Sequence, residues 1–549
     1  FHPGREIVAM EDGTAPVSYS SSPTPNERFH VLPRPMPTWL VEEVIDYYGN
    51  AGARMLEAGL DGVEIVGSHG YLPSQFLNPL VNVRDDKYGG SFENRLRFVH
   101  EVAANIRSKT DDDFVIGLRL SGNELSPDGI SGDDMVEICQ ALAAEGTLDY
   151  LSVAAGSSST LTGSVHIVPP MTEDTGYTAP FAHAIKQRID IPVFATGRIN
   201  QPQIAEEILS KGHADMCGMT RAMIADEEMP NKAFTGRADD IRACIGCNQA
   251  CIGHFHEGYP ISCIQNPVSG REVRYGDIAQ AAKSKRIMVV GGGPAGMKAA
   301  TIAAGRGHQV TLYEKSARLG GQVLLAQLLP TREEFGGLVT NLERQLELTG
   351  VTVKKNQAID MDRIEAENPD AVILATGATP RWPEFEGRDS SHVVDAWQVL
   401  NNEVNVGASV VIADWRADWI GIGIAEKLVQ EGCHVRLAVN GYMPGQTIQM
   451  YVRDAAVGRL HKLGVEVIPY VRLFGVDEDT VYLQHLMSGE PILCEGTETL
   501  VLCQGHTPEN PLEDQLREKG IEVHMAGDCL APRTAEEAVL EGFKAGISV

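Results

Sequence analysis

Ile287-Met288-Val289-Val290-Gly291-Gly292-Gly293-Pro294-Ala295-Gly296 is an apolar strand that runs straight into G-x-G-x-x-G and then a helix. In this pattern Gly291 gives the tight turn and Gly293 lets the backbone approach a pyrophosphate. Gly296 lets helix and strand pack closely, and the helix N-terminus faces the phosphate charge. The next strand, Gln309–Tyr313, ends at Glu314, 18 residues beyond Gly296, where a ribose-binding acid belongs. The glycines alone are a weak signal. Strand, turn, helix and acid in this order predict a nucleotide-binding unit, against the alternative of a glycine-rich turn with no ligand.

A further α/β unit opens downstream. Val410-Val-Ile-Ala413 is followed by Asp414-Trp-Arg-Ala-Asp418-Trp-Ile-Gly421, a helix, and the strand Val435–Val439. The pattern is again that of a dinucleotide fold, but tryptophans and acids stand where glycines belong. Indole rings block close backbone approach, and aspartates repel pyrophosphate. NAD(P) binding is expected to be disfavoured here; the alternative is an unusual turn that still binds the cofactor. The chain then returns to the earlier unit near Ala526-Gly-Asp528.

Upstream stands Cys244-Ile-Gly-Cys247-Asn-Gln-Ala-Cys251, then Cys263: a C-x2-C-x3-C-x11-C pattern. Three close thiolates plus one returning from a short loop can clasp an iron–sulfur cube. A structural zinc is the alternative, since C-x2-C pairs also bind zinc. The other six of the ten cysteines show no pairing pattern, so the chain reads as intracellular and reducing, with cytoplasmic localisation expected.

Before the cysteines, short apolar strands alternate with helical segments. The strands are Gly62–Val66, Val115–Leu120, Tyr150–Ala154, Val193–Thr196 and Asp215–Gly218; helices include Trp39–Gly59 and Asn94–Lys109. Repeated βα units predict a parallel sheet of the (β/α)8 type. Only five or six strands are legible, so two or three units are expected to precede residue 1. The abrupt start, Phe1-His-Pro-Gly-Arg5 without Met, fits that expectation.

Catalytic residues of such barrels collect at the C-terminal ends of strands. Val66-Gly-Ser-His69-Gly-Tyr71 follows one strand directly, and His69 and Tyr71 can both point into a site. Arg119 lies within a strand, where a charge needs an anionic partner; a flavin edge or a structural salt bridge would serve. Thr196-Gly197-Arg198 and Gly218-Met-Thr-Arg221 end the last two strands, where these barrels commonly hold a phosphate. FMN fits that placement.

A chain of 549 residues suggests three to four domains, and 43% hydrophobic content is ordinary for a globular protein. A net charge of −28 argues against nucleic acid, and no apolar run approaches the length of a membrane span. The expected division is 1–235 for the FMN barrel and 236–283 for the cysteine segment and linker. Residues 284–400 with 505–549 would form the first nucleotide-binding unit, and 401–504 the second, with its degenerate phosphate turn.

Three stretches together resemble the iron–sulfur branch of the old yellow enzyme family. They are Ser68-His-Gly-Tyr-Leu-Pro-Ser-Gln-Phe-Leu-Asn-Pro79, Tyr88-Gly-Gly-Ser-Phe-Glu-Asn-Arg95, and Cys244 to Cys263. That branch includes trimethylamine dehydrogenase, N-methyl amino acid demethylases and 2,4-dienoyl-CoA reductase. The resemblance implies an FMN barrel, a 4Fe-4S cluster on Cys244, Cys247, Cys251 and Cys263, and two Rossmann-like units, the first holding FAD or ADP. It implies active-site roles for His69, Tyr71 and His166, and flavin contact by Arg119. Gly197, Arg198, Gly218 and Arg221 would grip the FMN phosphate. Gly291, Gly293, Gly296, Glu314, Gln322 and Asp528 would hold the adenine nucleotide. Trimethylamine itself is not favoured, because Val66 stands where trimethylamine dehydrogenase carries a tyrosine. The resemblance leaves two activities open. One is oxidative demethylation of a small N-methylated amine or amino acid, with Tyr71, Tyr177 and Phe181 as aromatic candidates for the substrate cation. Its electrons would leave for an electron-transferring flavoprotein. The other is NAD(P)H-dependent reduction of an enoyl or dienoyl thioester. The degenerate turn favours the first, and the C-x2-C-x3-C spacing is closer to the reductases. A homo-oligomer is expected.

Overall fold

The computed structural model describes residues 17–549, so the start at Phe1–Arg5 lies outside the described residues. The chain forms two compact units, one ending at Thr220 and the other beginning at Arg221. The expected boundary at 235/236 therefore falls inside the second unit. The reason is Asp226, whose buried carboxylate accepts from the Arg242 backbone N–H at 2.8 Å and from Lys232 Nζ at 2.6 Å. Those bonds bind the segment after the last barrel strand to the cysteine segment.

The first unit is a five-stranded parallel sheet. Gly62–Val66, Val115–Ser121, Tyr150–Ala154, Val193–Thr196 and Met216–Gly218 pair in chain order, with helices between them. This is the βα succession of a TIM-barrel-like domain. The helices start where the sequence supplies caps: Ser91 accepts from the Asn94 N–H ahead of Phe92–Lys109, and Ser131 from the Asp134 N–H ahead of Gly132–Ala144. Leu96, Val99, Ala103 and Ile106 recur at helical spacing and are buried. Across three strands Gly117 makes room for the Tyr150 ring, which a Cβ would meet at 2.1 Å, and Tyr150 stacks on Phe194 at 4.5 Å.

The second unit contains two five-stranded parallel sheets. One runs Thr352–Lys354, Gln309–Tyr313, Arg286–Val290, Ala371–Leu374, Glu522–Met525. The other runs Val393–Asp395, Thr499–Cys503, Ser409–Asp414, His434–Val439, Glu466–Ile468. Both are Rossmann-like, and the chain leaves the first sheet and returns to it at Glu522. One strand lies where the sequence reading did not put it. Val393–Asp395, expected in the first nucleotide-binding unit, pairs with Thr499–Cys503. Two valines and an aspartate carry no mark of which sheet they will join. Among the described residues no helix is long and apolar enough to cross a membrane.

The helix Pro294–Gly305 is buried on nearly every side, from Ala295 to Thr301. It crosses the strand so closely that a Cβ on Gly296 would lie 1.9 Å from the Gly291 carbonyl oxygen. The final helix, Ala535–Ser548, presses on its other side, where a Cβ on Gly542 would lie 2.2 Å from the Ala295 oxygen. Gly296→Ala should therefore destabilise the second unit by about 1–3 kcal/mol, the usual cost of overpacking. Gly305→Ala, whose Cβ would enter open space, should be neutral or slightly stabilising. Midpoints of chemical denaturation for the two variants test this; equal midpoints would show that the crossing is not tight.

Candidate functional site

His69 follows the first described barrel strand and is stitched to the next two. Its N–H donates to Ser121 Oγ at 3.0 Å, and its carbonyl accepts from the Ser158 N–H at 2.8 Å and from Ser158 Oγ at 2.9 Å. Ser121 Oγ in turn donates to the Gly156 carbonyl at 2.7 Å. His69 is held at φ 60°, an uncommon conformation for a residue with a side chain. Strain of this kind persists where neighbours over-determine it, as at active sites. The Tyr71 ring stands edge-on to His69, 5.9 Å between centroids and 77° between planes. Burial, and then the charge of Arg119, push the His69 pKa down to about 4, against the opposing pull of the Ala155 and Gly156 carbonyls.

The rest of that loop is anchoring. Ser74 Oγ donates to Glu124 Oε1 at 2.6 Å, and Asn78 Nδ2 donates to the Asp128 carbonyl at 2.9 Å. The Tyr88–Arg95 stretch is a buttress: Asn82 Nδ2 donates to both the Phe76 and Tyr88 carbonyls at 2.7 Å, and Tyr88 Oη donates to Glu101. The serines Ser121 and Ser158 escaped sequence reading, because a serine at a strand end has no periodic or spacing signature.

Arg119 Nε lies 2.8 Å from Glu64 Oε1 on the neighbouring strand, close enough for an ion pair but not aligned as a hydrogen bond. Tyr150 Oη donates to the other Glu64 oxygen at 3.2 Å. The salt-bridge alternative for Arg119 is thus present, with a partner the sequence did not reveal. The Arg119 side chain stays one-third exposed, at 33%, so it keeps donors for a further acceptor. His166 ends the helix Leu161–Val165, with Nδ1 3.7 Å from Glu173 Oε2 and its ring 5.9 Å from that of Tyr177. Burial lowers its pKa. It backs the loop that clamps His69, since a Cβ on Gly156 would meet His166 Cβ at 2.7 Å. Arg198, buried and at φ 52°, donates from Nε to the Glu173 carbonyl at 3.0 Å. Gly197 and Gly218 close the strand ends tightly: Cβ atoms there would meet Thr178 at 2.4 Å and Thr196 Oγ1 at 2.3 Å. Phe181 packs on the core of the unit.

Arg221, expected at the FMN phosphate, opens the second unit and donates to Asn248 Oδ1 at 2.8 Å. It lines a small cavity together with Cys244, Cys247, Cys251 and Cys263. Asn248, at φ 57°, breaks the chain direction, and the π-turn Gln249–Gly253 then brings Cys251 to the cavity. Burial and the neighbouring thiols push Cys263 up to about 11 and Cys247 well above its ordinary value; burial also raises Cys251, against the opposing charge of Arg221. All ten cysteines are free of disulfides.

The first nucleotide-binding sheet opens onto a cavity of about 620 Å³. The turn residues Gly291 and Gly293 line it, with Glu314, Gln322 and Asp528. A Cβ on Gly293 would meet nothing within 4 Å, so the backbone there faces open space. Glu314 Oε2 accepts from the Gly292 N–H at 2.7 Å and fixes the turn, while Gln322 Nε2 donates to Asp528 Oδ2 at 2.8 Å. Burial raises the Asp528 pKa.

The turn of the second nucleotide-binding sheet borders the same cavity through Arg416, Asp418 and Trp419, but its own side chains fill the helix N-terminus. Asp418 caps the helix Trp419–Gln430, accepting from the Ile420 N–H at 2.9 Å, and Asp414 accepts from the Ala417 N–H at 2.9 Å. Both carboxylates are buried, and burial together with Asp418 raises the Asp414 pKa well above the usual carboxylate range. The hollow beside this turn measures about 70 Å³, far below the 300–1,000 Å³ of ordinary ligand pockets.

These features define a flavoprotein oxidoreductase. Residues 3–240 match the NADH:flavin oxidoreductase / NADH oxidase family, and residues 285–542 match pyridine nucleotide-disulphide oxidoreductases. The chain is 34% identical to an NADH oxidase of Thermoanaerobacter brockii, over 99% of this chain and 83% of that one. It is 32% identical to an N,N-dimethylglycine/sarcosine dehydrogenase of Chromohalobacter salexigens, over 91% and 78%. A solved 2-naphthoyl-CoA reductase complex superimposes with a TM-score of 0.91 at 29% identity, covering 100% of this chain and 84% of that one. The chain belongs to the old yellow enzyme family, in the branch whose FMN domain is fused to an FAD/NAD(P)-binding domain. Relatives of comparable identity are named both as amine demethylases or dehydrogenases and as reductases.

The His69 environment gives a signed pH effect. Its folded pKa of about 4 lies below the ordinary 6.5, so the unfolded chain takes the proton first. Its contribution to stability is full above pH 6.5 and is lost as pH falls toward 4. His69→Gln should therefore lose less stability than the parent protein between pH 7.5 and pH 5, measured by chemical denaturation. An unchanged pH dependence would contradict the assignment.

Proposed function

We propose that this chain oxidatively demethylates a small N-methylated amine or amino acid, of the dimethylglycine or N-methylproline type. The observation that carries the reading is the Asp414–Asp418 turn. An aspartate already occupies the helix N-terminus where a pyrophosphate would sit, which disfavours NAD(P)H as the source of electrons. The kinship with dimethylglycine/sarcosine dehydrogenase supports the same direction. The likeness to a 2-naphthoyl-CoA reductase supports the second reading, reduction of an enoyl or dienoyl thioester.

The residues fit the cofactors this chemistry needs. Arg119 keeps donors for a flavin ring, and Gly197, Arg198 and Gly218 form the strand ends suited to the FMN phosphate. The four cysteines line one cavity. Four thiols around one cavity are the donor set a 4Fe-4S cube takes, and structural zinc is the alternative. Gly291, Gly293, Gly296 and Glu314 form a cradle for the ADP portion of FAD or for ADP itself. When bound, FMN supplies a two-electron acceptor and the cluster a one-electron path to an external acceptor, for which an electron-transferring flavoprotein is proposed. His69, neutral above about pH 4, and Tyr71 orient the amine without placing a second cation beside it. Tyr177 and His166 close the same end of the domain. The substrate leaves as an iminium, and water converts it to formaldehyde and the shortened amine.

Two measurements test this. Anaerobic stopped-flow mixing with a panel of N-methyl amines should bleach the flavin, faster at higher pH as the substrate ammonium deprotonates, with formaldehyde matching acceptor reduced. Tyr71→Phe should slow bleaching roughly 10²-fold. Rapid bleaching by NADPH and none by any amine would establish the reductase instead. Separately, Cys244→Ala should remove the iron while leaving FMN bound; stoichiometric zinc in the parent protein would refute the cluster.

A further inference from the structure

The cysteine cavity is lined by Arg221 and, among the described residues, by no carboxylate. A second cation, Lys298, is buried nearby. The helix Gly336–Thr349 rests on the cysteine segment at two points: a Cβ on Gly337 would lie 3.2 Å from Ile245 Cγ2, and Arg344 pairs with Asp240 at 2.9 Å. Ile245 is itself part of the cavity wall. Lys298 reaches this same helix from the nucleotide-binding helix Pro294–Gly305. Its Nζ donates to Gln345 Oε1 at 2.7 Å, and Gln345 Nε2 donates on to Asn341 Oδ1 at 2.6 Å. Lys298 is only 3% exposed. Its hydrogen-bond partner is a neutral amide, and among the described residues no carboxylate lies within ion-pair distance of it. A buried lysine without an anionic partner is rare, because the ammonium loses its water. Arg242, two residues before Cys244, differs in this respect, since its guanidinium already has Glu227 at 3.7 Å. Burial and the charge of Arg242 push the Lys298 pKa down to about 7, and Cys263 pulls the other way. The anion that acts on Lys298 thus belongs to the cysteine site.

We propose that Lys298 acts through the cysteine site: its ammonium is the counter-ion of the electron that a 4Fe-4S cluster there takes up, and it raises the reduction potential of that cluster. Reduction adds one negative charge to a group that four thiolates already make anionic, and charge and surroundings set the potential of such a cluster. A cation buried in a medium of low dielectric constant stabilises the reduced form more than the oxidised one. The electron comes from the reduced flavin and leaves to the external acceptor; no bond to Lys298 forms or breaks. Gln345 holds Nζ in place without cancelling its charge, which a carboxylate at that position would do. The assignment rests on the cluster reading of Cys244, Cys247, Cys251 and Cys263 and deepens it. It does not depend on which substrate the FMN domain oxidises.

Anaerobic redox titration of the purified holoenzyme, followed by electron paramagnetic resonance of the reduced cluster, reads the midpoint potential. Lys298→Met should disfavour the reduced cluster at least about tenfold, a fall of about 59 mV for one electron, with iron, sulfide and flavin content unchanged. Gln345→Glu keeps the lysine and supplies the missing carboxylate, and it should move the midpoint in the same direction. This second variant decides the matter if Lys298→Met fails to fold. With the cluster intact, a midpoint unchanged or raised in Gln345→Glu would overturn the proposal. So would an unchanged midpoint in folded Lys298→Met. Metal and sulfide analysis of the parent protein separates the two readings. Zinc in place of iron sinks the cluster and this proposal together, whereas iron with an unmoved midpoint in the variants sinks this proposal alone.

Discussion

The second unit depends on one backbone crossing. At Gly296 the helix approaches the end of its strand so closely that a single β-carbon would strike the Gly291 carbonyl oxygen, and a β-carbon on Gly291 would strike that of Ala375. That crossing sets the helix into the sheet and lets the final helix lie against its other side through Gly542. It also leaves Gly293 facing open space, with Glu314 pinning the turn through the Gly292 amide. The geometric consequence is an open turn of the kind that can receive a phosphate. A larger residue at Gly296 would separate helix from strand, and the cavity wall would move with the helix.

The same fold then occurs a second time with the opposite electrostatic outcome. In the first copy the helix N-terminus is uncapped by any side chain, and the turn is open. In the second, Asp418 supplies its own carboxylate to the helix amides and Asp414 fills the space behind. A helix N-terminus attracts one anion, whether from a ligand or from the protein. Residues of the closed turn are not idle, however. Arg416, Asp418 and Trp419 face the cavity of the first copy, so the second copy has become part of its neighbour's binding wall.

In the barrel-like unit the constraint is different. His69 is positioned by hydrogen bonds between its backbone and serines at and beyond the ends of two neighbouring strands. The conspicuous Tyr88–Arg95 stretch touches none of these groups and instead braces the loop that bears them. Two motifs that look equally functional in sequence thus divide into a site and its scaffold, and only the site member carries a strained backbone.

The sequence by itself determined the fold class, the five strands of the first unit and the leading strands of the two Rossmann-like sheets, and it marked the glycine turn and the cysteine set as candidates. Each of these is written locally: apolar runs of strand length, glycines at fixed offsets, cysteines at short spacings. Tertiary structure decided what depends on partners distant in the chain. Glu64 was invisible as the partner of Arg119, and Ser121 and Ser158 as the clamps on His69. Val393–Asp395 gave no sign of which sheet it would join, and nothing local showed that Arg221 would line the cysteine cavity. Arg332, Gln249 and Trp419 lie in three separate segments, and no local spacing shows that they line one cavity. Local patterns fix backbone geometry, whereas charge pairing and polar satisfaction are properties of neighbours in space, which a linear spacing does not encode.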